Sequence, residues 1–125
     1  MPGTEERQLT GVSILVVEDE MLVATDYCER LANAGAQVLG PCTSVAEALR
    51  CIAQHKIDVA VLDYALSDQN SDPLQAALER RNIPYVVISG YPRVLVRRND
   101  CQQILSKPVS PDRLCDTVKA AAEAR

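Results

Sequence analysis

The chain has 125 residues and a mass of 13.6 kDa, and it contains four tyrosines but neither phenylalanine nor tryptophan. At this length a folded chain buries roughly two-thirds of the surface that its unfolded form exposes, so one domain can form without a metal or disulfide to hold its core. The net charge of −4 and the pI of about 4.9 exclude the general basic field of a nucleic-acid-binding domain. No apolar run approaches the ~20 residues that span a bilayer. We therefore expect a soluble, cytoplasmic α/β domain over residues 11–125, preceded by a flexible tail over residues 1–10.

The chain begins with a strand and a helix. Residues 12–17 are almost all apolar, which is typical of a strand covered on both faces. Apolar residues then recur at helical spacing until Gly35, a residue that commonly ends a helix. The residues predicted to face the core from this helix are Val23, Tyr27 and Leu31.

The second and third units repeat this alternation. A short strand is predicted over residues 37–40, and Ser44 and Glu47 have the spacing of a capping box that begins a second helix. A third strand over residues 57–62 ends at Asp63, and a third helix begins with Asp72 as its N-cap. The predicted inward-facing residues of these two helices are Val45, Leu49 and Ile52 in the second, and Leu74, Ala77 and Leu78 in the third.

The last part of the chain contains two more strands and a final helix. Strands are predicted over residues 83–89 and 104–105, and Ser110 begins a helix with Leu114, Val118 and Ala122 on one face. Five βα units in succession predict a doubly wound, five-stranded parallel sheet with helices on both faces. Only 18 positions separate Ser89 from Lys107 (107 − 89), so we expect the fourth helix, between the last two strands, to be short or irregular.

Reactive side chains follow the longer predicted strands at the point where each one ends. The first strand is followed by Glu18 and Asp19, the third by Asp63, the fourth ends in Ser89, and Lys107 follows the fifth. Ligands of open parallel sheets bind at the carboxyl ends of the strands. The position of these five residues at the carboxyl ends of the strands therefore predicts that they form one site.

The residue types at this site suit phosphoryl chemistry on a carboxylate. Three converging carboxylates repel one another unless a cation neutralises them, and oxygen ligands alone favour Mg²⁺ or Mn²⁺ over zinc. A carboxylate beside such an ion can act as a nucleophile towards phosphorus and form an aspartyl phosphate. The Lys107 ammonium and the Ser89 hydroxyl can donate to the new phosphoryl oxygens. No histidine is placed as a general base. We therefore expect that the protein is not an enzyme and at most catalyses its own slow phosphorylation and dephosphorylation.

These motifs resemble the receiver domain of bacterial two-component response regulators, which has a flavodoxin-like (βα)₅ fold. The resemblance covers residues 10–124 and rests on the segments 14–20, 61–63 and 88–90 together with Lys107-Pro108. It implies that Asp63 is the phosphoacceptor and that Glu18, Asp19, Asp63 and the backbone carbonyl of Ala65 are metal ligands. It further implies that Ser89 is the switch hydroxyl and Lys107 the phosphate-pairing lysine.

The sequence departs from the receiver pattern around the switch. Receivers usually have alanine or glycine after the switch hydroxyl, and here that position is Gly90, followed by Tyr91. Ile104 occupies the position of an aromatic switch residue. Tyr91 is the nearby candidate for that switching role. Residues 84–91 resemble a variant of the P-F-x-F-A-T-G-Y signature of the "FAT GUY" stand-alone receivers of alphaproteobacteria.

The resemblance implies a phosphorelay protein with protein partners. We expect a histidine kinase or histidine phosphotransfer protein as phosphodonor, a protein effector as output, no direct nucleic-acid or membrane contact, and a monomer. Alternatives remain: a pseudo-receiver or adaptor that binds its kinase independently of phosphorylation, or a receiver that is part of a longer regulator. An aspartyl-phosphate phosphatase is disfavoured because such hydrolases use D-x-D, whereas Ala65 follows Asp63 here.

Overall fold

The computed structural model describes residues 8–66, 69–90 and 101–124. Within them the elements, in chain order, are β1 (Ser13–Val17), α1 (Met21–Asn33), β2 (Gln37–Cys42), α2 (Val45–Gln54), β3 (Val59–Asp63), α3 (Asp72–Arg80), β4 (Tyr85–Ser89), β5 (Gln102–Ser106) and α4 (Pro111–Glu123). The short or irregular helix predicted between the last two strands falls outside the described residues. None of the four described helices has the length and apolarity needed to cross a bilayer.

The five strands form one parallel sheet in the order β2-β1-β3-β4-β5. Strands β3 and β4 are buried at every position because helices cover both faces of the sheet. One core cluster lies under α2 and α3, and a second lies under α1 and α4. The predicted doubly wound α/β fold is confirmed.

Strand β2 extends beyond its predicted end at Gly40. It continues through Pro41 to Cys42, and the pairing with β1 shifts register between Leu15 and Val17. Gly40 has a φ of +108°, and a Cβ atom there would lie 2.7 Å from the carbonyl oxygen of Val16. Glycine allows this close approach, so the strand passes a position at which the sequence pattern suggested an end. Strand β5 is also longer than predicted, since Gln102 and Gln103 pair with β4.

Side-chain caps begin α2 and α4 as predicted. The Ser44 hydroxyl accepts from the Glu47 N–H at 3.2 Å, and the Ser110 hydroxyl accepts from the Arg113 N–H at 3.2 Å. The Glu47 carboxylate accepts from the N–H of Thr43 at 2.8 Å, one residue earlier than in a standard capping box. These bonds satisfy backbone donors that the first turn of a helix leaves without partners.

The prediction of Asp72 as the N-cap of α3 is wrong. Asp72 is the first residue of the helix and Ser71 is the cap. The reason is a local turn, in which the Asn70 side chain accepts from the N–H of Asp72 at 3.0 Å.

In α1, α2 and α4, two of the three predicted core residues are buried as predicted, and a neighbouring residue is buried in place of the third. The buried neighbour is an alanine in each helix: Ala24 in place of Val23, Ala48 in place of Leu49, and Ala121 in place of Ala122. One residue rotates a helix by about 100°, so Leu49 becomes 37% exposed while Val23 and Ala122 are half-buried at the edge of the core. Leu74, Ala77 and Leu78 are all buried, as predicted.

The ordered domain begins before residue 11. Leu9, which the sequence analysis placed in the flexible tail, is fully buried in the cluster under α1 and α4. Its N–H donates to the carbonyl of Ala34 at 2.9 Å, and its carbonyl accepts from the N–H of Val12 at 3.0 Å. A single apolar residue among polar neighbours gave no periodic signal, and its burial depends on where α1 ends.

We predict that Leu9→Ala lowers the free energy of unfolding by about 2–5 kcal/mol, because it removes a fully buried side chain and leaves a cavity. Leu22→Ala is the matched control: Leu22 is 83% exposed, and its loss should change stability by no more than about 0.5 kcal/mol. Urea unfolding of both variants measures the difference. Equal stabilities would show that residue 9 belongs to a tail after all.

Candidate functional site

Backbone hydrogen bonds hold the ends of the strands in register at one edge of the sheet. Each joins the residue after one strand to the last or penultimate residues of its neighbour. They run from Glu18 N–H to Cys42 carbonyl, from Tyr64 N–H to Ile88 carbonyl and from Lys107 N–H to Ser89 carbonyl, each at 2.9 Å. The sheet ladders therefore continue one residue past the strands and fix the backbone from which the predicted site residues project.

The three predicted acids come together at this edge. Glu18, Asp19 and Asp63 each place a carboxylate oxygen within 4.8 Å of the others, and Glu18 and Asp63 are only 2% and 6% exposed. Two unit charges about 5 Å apart repel by about 3 kcal/mol at an effective dielectric constant near 20. The cluster is therefore costly when all three groups are ionised, and a bound cation would relieve that cost.

Glu18 is the most constrained of the acids. Its Oε2 accepts from the N–H of Glu20 at 3.0 Å, whereas its Oε1 is buried and has no hydrogen-bond partner within the described part of the chain. Burial raises the pKa of Glu18 from its ordinary value of 4.5 to about 7; the Glu20 N–H opposes this shift and the charge of Asp63 adds to it. A buried carboxylate oxygen without a donor is suited to a cation.

Lys107 provides a positive charge beside Asp63. Its Nζ lies 3.1 Å from Oδ1 of Asp63, and its side chain is partly exposed whereas that of Asp63 is buried. Burial raises the pKa of Asp63, and the Lys107 ammonium acts against that shift. The lysine thus favours the ionised, nucleophilic form of a carboxylate that burial alone would tend to protonate.

Ser89 is the last residue of β4, and Ala65 lies in the loop that follows β3. Ser89 is buried, lies opposite Ser106 and is bonded through its carbonyl to Lys107. Ala65, two residues after Asp63, forms an isolated antiparallel bridge with Asn70. The predicted roles of Ser89 as a switch and of the Ala65 carbonyl as a ligand stay predictions. Tyr91, the other predicted switch residue, lies outside the described residues.

The donor set fits a hard divalent cation such as Mg²⁺. Glu18, Asp19 and Asp63 would hold it, because they supply only oxygen ligands and include the unpartnered Glu18 Oε1. The carbonyl of Ala65 is a further candidate ligand. When bound, such an ion would neutralise the cluster and the charge of an incoming phosphoryl group.

The structure adds Tyr27 to the surroundings of the site. The sequence analysis placed it on the core face of the first helix, and it is buried there. Burial, followed by the charges of Glu18 and Asp63, raises the pKa of Tyr27 to about 12. Its hydroxyl therefore stays protonated close to the acids. Helical spacing alone could not distinguish it from an ordinary core residue.

The fold and the site define a class of signalling domain, and comparison with known proteins identifies the family. Residues 14–119 match the family model of the response regulator receiver domain. The chain belongs to this family.

Similar proteins include both longer regulators and a protein of the same size. The chain is 28% identical over 123 residues to the transcriptional regulatory protein PdtaR of Mycobacterium tuberculosis, covering 95% of this chain and 59% of that protein. The crystal structure of the anti-anti-sigma factor PhyR from Bartonella quintana matches with 26% identity and a TM-score of 0.80, covering 94% of this chain and 49% of that one. The solution structure of SdrG from Sphingomonas melonis matches with 33% identity and a TM-score of 0.75, covering 93% of this chain and 98% of that one. The chain spans 46–59% of the length of the curated relatives that it matches.

We predict that the effect of Glu18→Gln on the melting temperature depends on both pH and Mg²⁺. The raised pKa means that stabilisation from protonated Glu18 is complete below pH 4.5 and is lost as the pH rises through about 7. Glutamine stays neutral, so without Mg²⁺ the variant should have the higher Tm at pH ~8, and the difference should shrink towards pH ~5. Added Mg²⁺ should raise the Tm of the wild type more than that of the variant.

Thermal melts across this pH range, with and without Mg²⁺, measure both effects. Glu29→Gln, an exposed substitution on α1, the helix that begins shortly after Glu18, is the control and should follow the wild type. A Tm difference for Glu18→Gln that does not change with pH would contradict the raised pKa.

Proposed function

We propose that this receiver accepts a phosphoryl group on Asp63 from a phosphohistidine of a histidine kinase or phosphotransfer protein, with Mg²⁺ at the acidic cluster. The observation that carries the proposal is the buried Asp63 carboxylate, 3.1 Å from the Lys107 ammonium and beside two further acids. An Asp63 oxygen attacks phosphorus, the P–N bond breaks, and the imidazole leaves after taking up a proton. The product is an aspartyl phosphate, and the Lys107 ammonium and the Ser89 hydroxyl would donate hydrogen bonds to its oxygens.

The proposed site stores a phosphoryl group and is not built for turnover. The chain has one histidine, His55, and it caps the C-terminal end of α2. A helix that follows a strand of a parallel sheet ends at the opposite edge, so His55 is not placed to activate water. Ala65 replaces the second acid with which a D-x-D phosphatase protonates its leaving group. Hydrolysis of the aspartyl phosphate should therefore be slow.

The proposed output is a protein–protein interaction that changes with phosphorylation. One similar structure is described as an anti-anti-sigma factor, but this chain matches about half of it. The match to SdrG covers nearly all of both chains, which supports the proposal of a receiver of the "FAT GUY" type. The proposal places the protein in the cytoplasm, where the ATP that charges such phosphodonors is available.

The start of α1 offers a surface for the phosphodonor. Met21 and Leu22 are 54% and 83% exposed, and they directly follow the segment that carries Glu18 and Asp19. Large exposed apolar side chains next to a reactive site favour contact with a partner. We propose that these two residues contact the protein that carries the phosphohistidine.

We predict that acetyl phosphate with Mg²⁺ adds the mass of one phosphoryl group, because Asp63 is the single buried acid paired with a lysine among the described residues. Asp63→Asn should abolish the adduct, whereas Asp116→Asn, at an exposed position of α4, should keep it. Intact-mass spectrometry measures the adduct. Its absence from the wild type, together with binding to a kinase that Asp63→Asn does not alter, would favour a pseudo-receiver.

We predict that Leu22→Asp slows phosphotransfer from a protein donor about tenfold or more, as expected for the loss of a well-buried apolar contact with a partner. Phosphorylation by acetyl phosphate should keep its wild-type rate, because a small donor needs no docking surface. Autophosphorylated histidine kinases of the source organism, tested in turn, provide the donors. Equal loss with both kinds of donor would show that the substitution damages the site itself.

A further inference from the structure

Buried polar side chains in the described part of the chain form two groups. They are Glu18, Asp63 and Ser89 at the acidic edge, and Ser71, Gln75 and Gln102 elsewhere. A buried amide or hydroxyl without a partner costs about 1–3 kcal/mol, and bonds among the members of the second group reduce that cost. The Gln75 amide donates to the Ser71 hydroxyl at 3.1 Å, and the Gln102 amide donates to the Gln75 carbonyl oxygen at 2.9 Å. We name these three residues the glutamine relay.

One end of the glutamine relay is attached to the loop after the phosphoacceptor. The Ser71 N–H donates to the carbonyl of Tyr64 at 2.8 Å, and Tyr64 directly follows Asp63. Ser71 also caps α3, where its carbonyl accepts from the Gln75 N–H at 3.0 Å. A displacement of the backbone after Asp63 therefore acts directly on Ser71 and, through it, on Gln75.

The other end of the relay lies on the strand that leads to Lys107. Gln102 is the first residue of β5, opposite Tyr85, and the bond from its amide to Gln75 connects α3 to β5 past the intervening strand β4. Side chains alternate along a strand, so Gln102 and Ile104 share one face and Gln103 lies on the other. Ile104 is the residue that occupies the position of an aromatic switch. Through hydrogen bonds, the glutamine relay therefore reaches the face of β5 on which Ile104 lies.

We propose that Ser71, Gln75 and Gln102 are positioning residues that transmit the phosphorylation state of Asp63 to the beginning of β5. Hydrogen bonds are short-ranged and directional, so a small shift of Ser71 would be enough to break its bond to Gln75 and so alter the network. Aliphatic packing at these positions would hold α3 against β5 without this sensitivity. The inference rests on the proposed function, because it requires that Asp63 is phosphorylated.

The Cys101 thiol, next to Gln102 and half-buried, reports on the start of β5. The experiment compares its alkylation by iodoacetamide with and without acetyl phosphate and Mg²⁺, resolved by peptide mass spectrometry. Cys28, on α1, serves as the internal reference. In the wild type we expect phosphorylation to change the Cys101 rate by about two- to thirtyfold relative to Cys28.

The decisive variant is the double substitution Gln75→Leu and Gln102→Leu. It replaces both bonded amides with apolar groups, which is less disruptive than leaving one amide unpaired. We expect it to accept one phosphoryl group as the wild type does, while the ratio of Cys101 rates falls to about one. Gln103→Leu, one residue along β5 and on the opposite face, is the matched control and should keep the wild-type ratio. Ser71→Ala, which removes the acceptor of the Gln75 bond, tests the same link if the double variant does not fold.

The outcomes separate the relay from the proposed function. An adduct in both proteins with an unchanged Cys101 ratio in the double variant overturns the relay and assigns the network a purely structural role. An adduct in the wild type without any change at Cys101 also overturns it. Failure of the wild type to accept a phosphoryl group overturns the proposed function, and the relay with it.

Discussion

Repulsion among three carboxylates at one edge of the sheet is the constraint on which the site depends. Glu18 and Asp63 are buried next to Asp19, so their charges are poorly solvated as well as close together. Only Lys107 among the predicted site residues offsets them, and its partial exposure weakens the compensation. A divalent cation bound at these carboxylates would relieve the repulsion. A phosphoryl group on Asp63 would add further negative charge and increase that repulsion.

The parallel sheet makes such a costly cluster stable. Both faces of the sheet are covered by helices, so two aliphatic cores supply the folding free energy while the carboxyl edge remains available for polar groups. Backbone bonds beyond the strands hold Glu18, Tyr64 and Lys107 in place, and none of these bonds depends on the titrating side chains. Because the bonds that position the site do not use the acidic side chains, substitutions of the acids can be made without dismantling the sheet.

The accuracy of sequence-based prediction varied with the range of the interactions. Strand and helix order followed from local apolar patterns, and the meeting of Glu18, Asp19 and Asp63 followed from the rule that parallel strands end at one edge. The exposure of Leu49 and the burial of Leu9 depend on how a helix docks against the sheet. Gln75 and Gln102 were not singled out because glutamine in an amphipathic segment resembles a surface residue until its partner, 27 positions away, is known.

The amino-acid sequence by itself determined the α/β class, the order of the elements and the residues at the strand ends, because these follow from short-range periodicity and from the geometry shared by all parallel sheets. Only the tertiary structure decided which Glu18 oxygen lacks a partner, that Lys107 reaches Asp63, and that α3 and β5 are joined by buried amides. Distances between side chains far apart in sequence, and the burial that shifts their pKa values, arise only when the strands and helices pack together.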